Sequence, residues 1–270
     1  MAFGLIELGL GAVVGMILAL TGAGGGILAV PLLVFGLGLS IAQAAPVGLL
    51  AVGAAAAVGA LLGLKEGLVR YRAAALIGAV GMAIAPLGLR LAQVIPNTPL
   101  MIAFALLLAF VAVRMFIQSR VDQVEPANAS QRSPCVTGSD HRLVWTRRCA
   151  WALAGVGSLS GVLSGLLGVG GGFVILPALS RFTNLDTRSI VATSLAVIAL
   201  VSVGGVSAAA LQGSVQWPVA LPFATGAIAA MLAGRSLAAR LDGPRLQQFF
   251  ALTSGAVAVL LVVRTIHWTA

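Results

Sequence analysis

Two runs of glycine, Gly24-Gly25-Gly26 and Gly170-Gly171-Gly172, are the positions in this chain best suited to chemistry, and that chemistry is anion binding by backbone amides. A helix that starts at a glycine leaves up to four N–H groups without partners and carries roughly half a positive charge at that end. Glycine also lets a ligand approach the backbone closely. Each run sits in a repeated block: GAGGGILAVP at Gly22 to Pro31 returns as GVGGGFVILP at Gly168 to Pro177, an offset of 146 residues. The same gapless offset pairs Gly9, Gly11 and Gly15 with Gly155, Gly157 and Gly161. It also pairs Leu49, Gly59, Gly67, Val69, Gly88 and Leu91 with Leu195, Gly205, Gly213, Val215, Gly234 and Leu237. One register through both halves marks an internal duplication.

Hydroxyls add a second kind of donor. Thr193 and Ser194, in IVATSLAVIAL, lie one helix beyond the second block and can hydrogen-bond either a substrate oxygen or the carbonyl a turn earlier. Both readings stay open. The first half offers Val47 and Gly48 at those places, and Thr21 is a weaker candidate. The expected substrate site is therefore Gly24, Gly25, Gly26, Gly170, Gly171 and Gly172 with Thr193 and Ser194, while Gly22, Pro31, Gly168 and Pro177 shape the turns that carry it. Glu7 is read as interfacial, Arg90 as a snorkelling side chain, and Gly9, Gly11, Gly15 and their mates as helix-packing positions. No metal or cofactor is expected. His141, His267, Cys135 and Cys149 show no ligand spacing, and the cysteines are read as free thiols of a reducing compartment. With no nucleophile, base or metal set inside the apolar spans, an intramembrane enzyme is disfavoured.

These groups must be positioned by membrane helices. The chain has 270 residues, 60% of them hydrophobic and 9% charged, with a mean hydropathy of +1.08, too little polar surface to coat a soluble globule. The net charge of +9 does not point to nucleic acid, because the 16 Lys and Arg are spread between apolar spans. Apolar segments cover about 3–37, 43–63, 73–93, 98–117, 150–180, 189–211, 217–238 and 246–265. The first is read as a structural span and not a cleaved signal. The longest, Gly4 to Leu39, would reach about 54 Å as one helix against a hydrocarbon core of about 30 Å, so it must break. The break is expected at the glycines, as a helical hairpin with the proline in its returning arm. A bent helix that continues across is the competing reading.

Basic residues choose between the two. If each long segment crosses once, the Lys and Arg divide 10 to 6; if it doubles back, the second half is inverted and they divide 14 to 2, with only Arg90 and Arg264 opposed. The positive-inside rule favours inversion. It places both termini outside and a polar linker in the cytoplasm. The expected organisation is a first membrane repeat at 1–117, a linker at 118–148 and a second repeat at 149–270. The fold class is thus an all-α membrane protein of two inverted-topology repeats, each a glycine-broken hairpin followed by three transmembrane helices. Such repeats are a recurring construction for secondary transporters, whose substrates bind near midplane where broken helices meet.

GLLGVGGGFVILPAL followed by IVATSLAVIAL, with a looser copy beginning GAGGGILAVPLL, resembles the sulfite exporter TauE/SafE family of integral membrane permeases. The resemblance spans both repeats and excludes the linker. PVGL at Pro46 to Leu49 departs from the second half's ATSL pattern. The resemblance implies export of sulfite, sulfonates or related organic anions across a bacterial inner membrane, without ATP. No GxxxxGK[ST] run is present. The expected partners are a small anion and the lipid bilayer, with proton or other ion coupling left open. Two alternatives stand beside this reading: a non-transporting membrane assembly subunit, and an uptake permease for a different small anion.

Overall fold

The computed structural model describes residues 2–22, 25–121, 135, 146–183 and 185–238. They form helices α1 (Ala2–Thr21), α2 (Gly25–Leu37), α3 (Ile41–Lys65), α4 (Tyr71–Val94), α5 (Asn97–Val121), α6 (Arg147–Leu167), α7 (Gly172–Phe182), α8 (Thr187–Leu211) and α9 (Trp217–Ala238). The fold is all-α. Six of these helices, α1, α3, α4, α6, α8 and α9, are long and apolar enough to cross a membrane. The apolar segment expected at 246–265 lies outside the described residues, as do Arg240, Arg245 and Arg264.

Both long segments break where the glycines stand. Thr21 ends α1 and Gly22 takes a left-handed φ of +73°; Leu167 ends α6, and Gly168, Gly170 and Gly171 take φ of +69°, +71° and +67°. A side chain at such angles is strained, which explains the residue type. The returning arms are short: α2 has 13 residues and α7 has 11, about 20 and 16 Å at 1.5 Å per residue, and neither reaches across a bilayer. Both double back. A β-carbon on Gly25 would lie 2.6 Å from Leu18 Cβ, and one on Gly36 would lie 2.8 Å from Leu10 Cδ1, so α2 retraces α1. Pro31 and Pro177 lie within the returning helices.

The offset of 146 reappears in the packing. Gly11 abuts the backbone of Phe223 and Gly15 that of Ala227, which sets α1 parallel to α9; Gly157 abuts Ile77 and Gly161 abuts Gly81, which sets α6 parallel to α4. Each contact in the second pair is the first displaced by the repeat. Between the halves, Leu49 meets Gly205 and Leu195 meets Gly59, so α3 and α8 cross antiparallel. Helices approach this closely because glycine carries no side chain, and dispersion between backbones then replaces the missing hydrophobic drive inside lipid. The equivalent residues Ser40 and Asp186 cap α3 and α8, each accepting from the backbone N–H three residues on.

Two expectations need correction. Among the described residues, Gly9 and Gly155 have no neighbouring atom within 4 Å of a β-carbon position, and the tight packing face runs through Gly11, Gly15, Gly157 and Gly161 instead. Nor are the cysteines free. Cys135 and Cys149 form a disulfide with Cα atoms 5.1 Å apart. Cys135 N–H donates to the Phe182 carbonyl at the end of α7, and this bond carries a linker residue to the first turn of α6, where Cys149 stands. Linear spacing contained no trace of that long-range pairing. Glu7, near the start of α1, is 6% exposed.

Charge is segregated by these directions. The end of α3, the starts of α4, α6 and α8 and the end of α9 share one end of the bundle, which gathers Lys65, Arg70, Arg72, Arg147, Arg148, Arg188 and Arg235. Arg235 binds Glu66 there at 2.6 Å and donates to the Gly59 carbonyl at 3.1 Å. Asp186 at the same end has its carboxyl held below the usual range, first by the hydrogen bond from Ser189 and least by the nearby Arg70 charge. The opposite end carries Arg90 and a Gln93–Gln212 hydrogen bond between α4 and α8.

Candidate functional site

The two glycine turns touch. A β-carbon on Gly26 would meet the carbonyl of Val169, so the start of α2 lies directly against the second turn. Val52 of α3 sits between them, its Cγ1 lying 3.4 Å from the β-position of Gly26 and 3.3 Å from that of Gly170. Ile198, the equivalent of Val52 on α8, lies 3.0 Å from Gly170 by the same measure. Two short helices therefore begin at one place in the interior, with α3 and α8 crossing beside them. Gly25 and Gly26 already belong to α2, and Gly172 opens α7, so the glycine runs supply helix N-termini as well as turns. Gly24 lies outside the described residues.

Backbone donors are exposed at the second turn. Val174 and Ile175 N–H groups both return to the Gly171 carbonyl, which leaves the N–H groups of Gly172 and Phe173 without an acceptor inside the helix. No side chain caps this end. At the first turn a carbonyl is held from outside: Ser194 Oγ donates to the Gly22 carbonyl at 3.2 Å, and within α8 to the Val191 carbonyl at 2.8 Å. Its single proton is thereby shared between two carbonyls. Thr193 Oγ1 accepts from the Arg70 N–H at 3.0 Å and ties the α3–α4 loop to α8. Thr21 Oγ1 bonds the Ile17 carbonyl one turn back. Of the hydroxyls singled out from sequence, Ser194 braces a glycine turn and links the first hairpin to the helix that follows the second.

Residues 7–261 match the family model for the sulfite exporter TauE/SafE. The chain belongs to that family. Its match covers nearly the whole chain and fits the six apolar helices of a multi-pass membrane protein. Two curated relatives, both named "Probable membrane transporter protein", come from Xylella fastidiosa. That of strain 9a5c is 30% identical over 264 residues, and that of strain Temecula1 is 32% identical over 267. Each alignment covers 97% of this chain and 95% of the relative. No solved structure matches. Within this TauE/SafE chain, no group of three His, Cys, Asp or Glu side chains that could hold a metal occurs among the described residues.

Sequence reasoning passed over three side chains in the interior of this TauE/SafE protein. Ser160 and Ser164 on α6 and Ser202 on α8 are at most 3% exposed, and their hydroxyls have no hydrogen-bond partner. The signal was present in the repeat but lay in its differences: at the offset of 146, Ser160, Ser164 and Ser202 stand where the first half has Val14, Leu18 and Ala56.

Proposed function

We propose that this protein is a secondary transporter that exports sulfite, sulfonates or related small oxyanions, holding the anion where its two glycine turns meet. The observation that carries the reading is the contact of Gly26 with Val169, which brings two short helices to one interior point. Helix N-termini attract anions through unpaired amides and the helix dipole, and in a low-dielectric interior both effects strengthen. Antiparallel crossing of the equivalent helices α3 and α8, with the swapped pairs Leu49–Gly205 and Leu195–Gly59, supports an inverted relation between repeats spanning 1–117 and 149–270. Rocking of one repeat against the other would then open the anion site to each side in turn. The positive end faces the cytoplasm of a bacterial inner membrane in this account.

The relatives' printed name and the family description point the same way. The test is flux: purified protein in vesicles should carry sulfite down its gradient, with imposed proton gradients reporting any coupling. Absence of flux for sulfite, sulfonates and carboxylates alike would leave a non-transporting subunit as the better description.

A further inference from the structure

The two hairpins are not chemically equal. In the first, Gly25 at the start of α2 lies against the backbone of Val14 and Leu18 and against Leu18 Cβ, and both side chains there are apolar and fully buried. In the second, Gly171 at the start of α7 lies against Ser160, whose Oγ occupies the space a β-carbon there would need. Ser164 stands one turn further along the same face of α6 and is likewise 0% exposed. Neither hydroxyl has a partner, although both lie on a helix whose carbonyls are within general reach of a serine rotamer. Leaving a buried hydroxyl unpaired costs stability, so a folded chain that keeps two of them side by side has kept them for a ligand that satisfies them.

We infer that the second hairpin alone holds the selective oxyanion subsite, built from the Ser160 and Ser164 hydroxyls and the Gly172 and Phe173 amides. This inference rests on the transport reading and narrows it. Four neutral donors suit an anion with two or three oxygens that accept from them. A halide, one sphere without directed lone pairs, has no such match. The donors are uncharged, so a monoanion is held by hydrogen bonds alone. The first hairpin has Val14 and Leu18 in the corresponding places and offers no such hydroxyls.

The test uses the full chain, with sulfite as the probe and chloride as its comparison. Ser160→Ala and Ser164→Ala remove volume and so should insert normally. Each is expected to raise the half-saturating sulfite concentration about three- to tenfold, and together more than tenfold. Thermal stabilisation of the detergent-purified protein by sulfite should shrink in parallel, a readout that does not depend on flux. Ser158→Ala is the control on the same helix, because that hydroxyl already bonds the Ala154 carbonyl at 3.0 Å. It should match the wild type. If the wild type carries sulfite and is stabilised by it, yet both serine variants behave identically to it, the subsite is overturned and the transport reading survives. If the wild type neither carries sulfite nor gains stability from it, both fall together.

Discussion

Leu195 lies over Gly59, its Cδ1 being 2.9 Å from where a β-carbon on that glycine would sit, and Leu49 lies over Gly205 in the equivalent contact. The two contacts are one contact made twice, with the halves exchanged. A leucine needs a hole of its own size, and a glycine on the facing helix supplies it. Gly205→Ala should therefore overpack the crossing and lower stability by about 1–3 kcal/mol. Leu49→Ala added to it should recover part of that loss. Thermal unfolding of the single and double variants measures the coupling, and additive losses would mean that the two positions do not meet.

Glycines on α1 and α6 should divide into two classes. Gly15→Ala and Gly161→Ala press a methyl group against the backbone of Ala227 and of Gly81, so inserted, folded protein should fall sharply. Gly9→Ala and Gly155→Ala meet no atom of the described residues and should be neutral or gain up to about 1 kcal/mol from better helix propensity. Fluorescence-detected size exclusion would rank the four.

Ser194→Ala removes the donor to Gly22 O and should loosen the first turn by about 0.5–1.5 kcal/mol. Its effect on half-saturation for sulfite should be smaller than that of Ser160→Ala, because the Ser194 proton is already shared between carbonyls. A larger effect at Ser194 in the flux assay would return that hydroxyl to the substrate.

The Cys135–Cys149 disulfide closes a loop of 14 residues between the linker and α6. A loop of that size stabilises by about 3 kcal/mol in the chain-entropy picture, so Cys149→Ser should lower the unfolding temperature by several degrees. Both sulfurs are buried, at 0% and 1% exposure, which shields them from reductant. In the proposed orientation an impermeant thiol reagent added to intact cells labels neither cysteine, even after mild reduction by a permeant reductant. Labelling from outside would invert the topology.

Asp186 gives a pH-dependent contribution of known sign. Its carboxyl is held below the ordinary value of 3.8 because the ionised form accepts from Ser189. The stabilisation is complete above that ordinary value and is lost as pH falls through the lower folded-state value. Asp186→Ala should remove it and cost about 1 kcal/mol of capping at neutral pH, where wild type and variant can be compared directly by thermal unfolding.

Much of this architecture was legible in the residues. The length of Gly4 to Leu39 against the bilayer required a break, and the only residues tolerant of left-handed angles there were the glycines. The repeat then carried the same conclusion to Gly168. Among the described residues the left-handed angle stands at Gly22, two residues before the glycine run, and Gly25 already opens α2. Side-chain partners were harder to see. For Ser194 the bond to a nearby helix carbonyl, made to Val191, was one of two readings left open, but its second acceptor, Gly22, is 172 residues away and was not visible. Ser160 and Ser164 were missed because a search for identity between repeats passes over the places where one half is polar and the other apolar. The Cys135–Cys149 pairing depends on a backbone bond to Phe182 that no local pattern encodes.

The central claim is that an oxyanion is held at the glycine turns, and sulfite flux through vesicles containing Gly171→Val tests it most directly. Gly171 has a φ of +67° and lies against Ser160, so a β-branched side chain there both strains the turn and displaces the Ser160 hydroxyl from the start of α7. The account predicts saturable sulfite flux for the wild type and flux at the level of empty vesicles for Gly171→Val, with both proteins inserted to the same extent. Wild-type flux in Gly171→Val at equal insertion would contradict it.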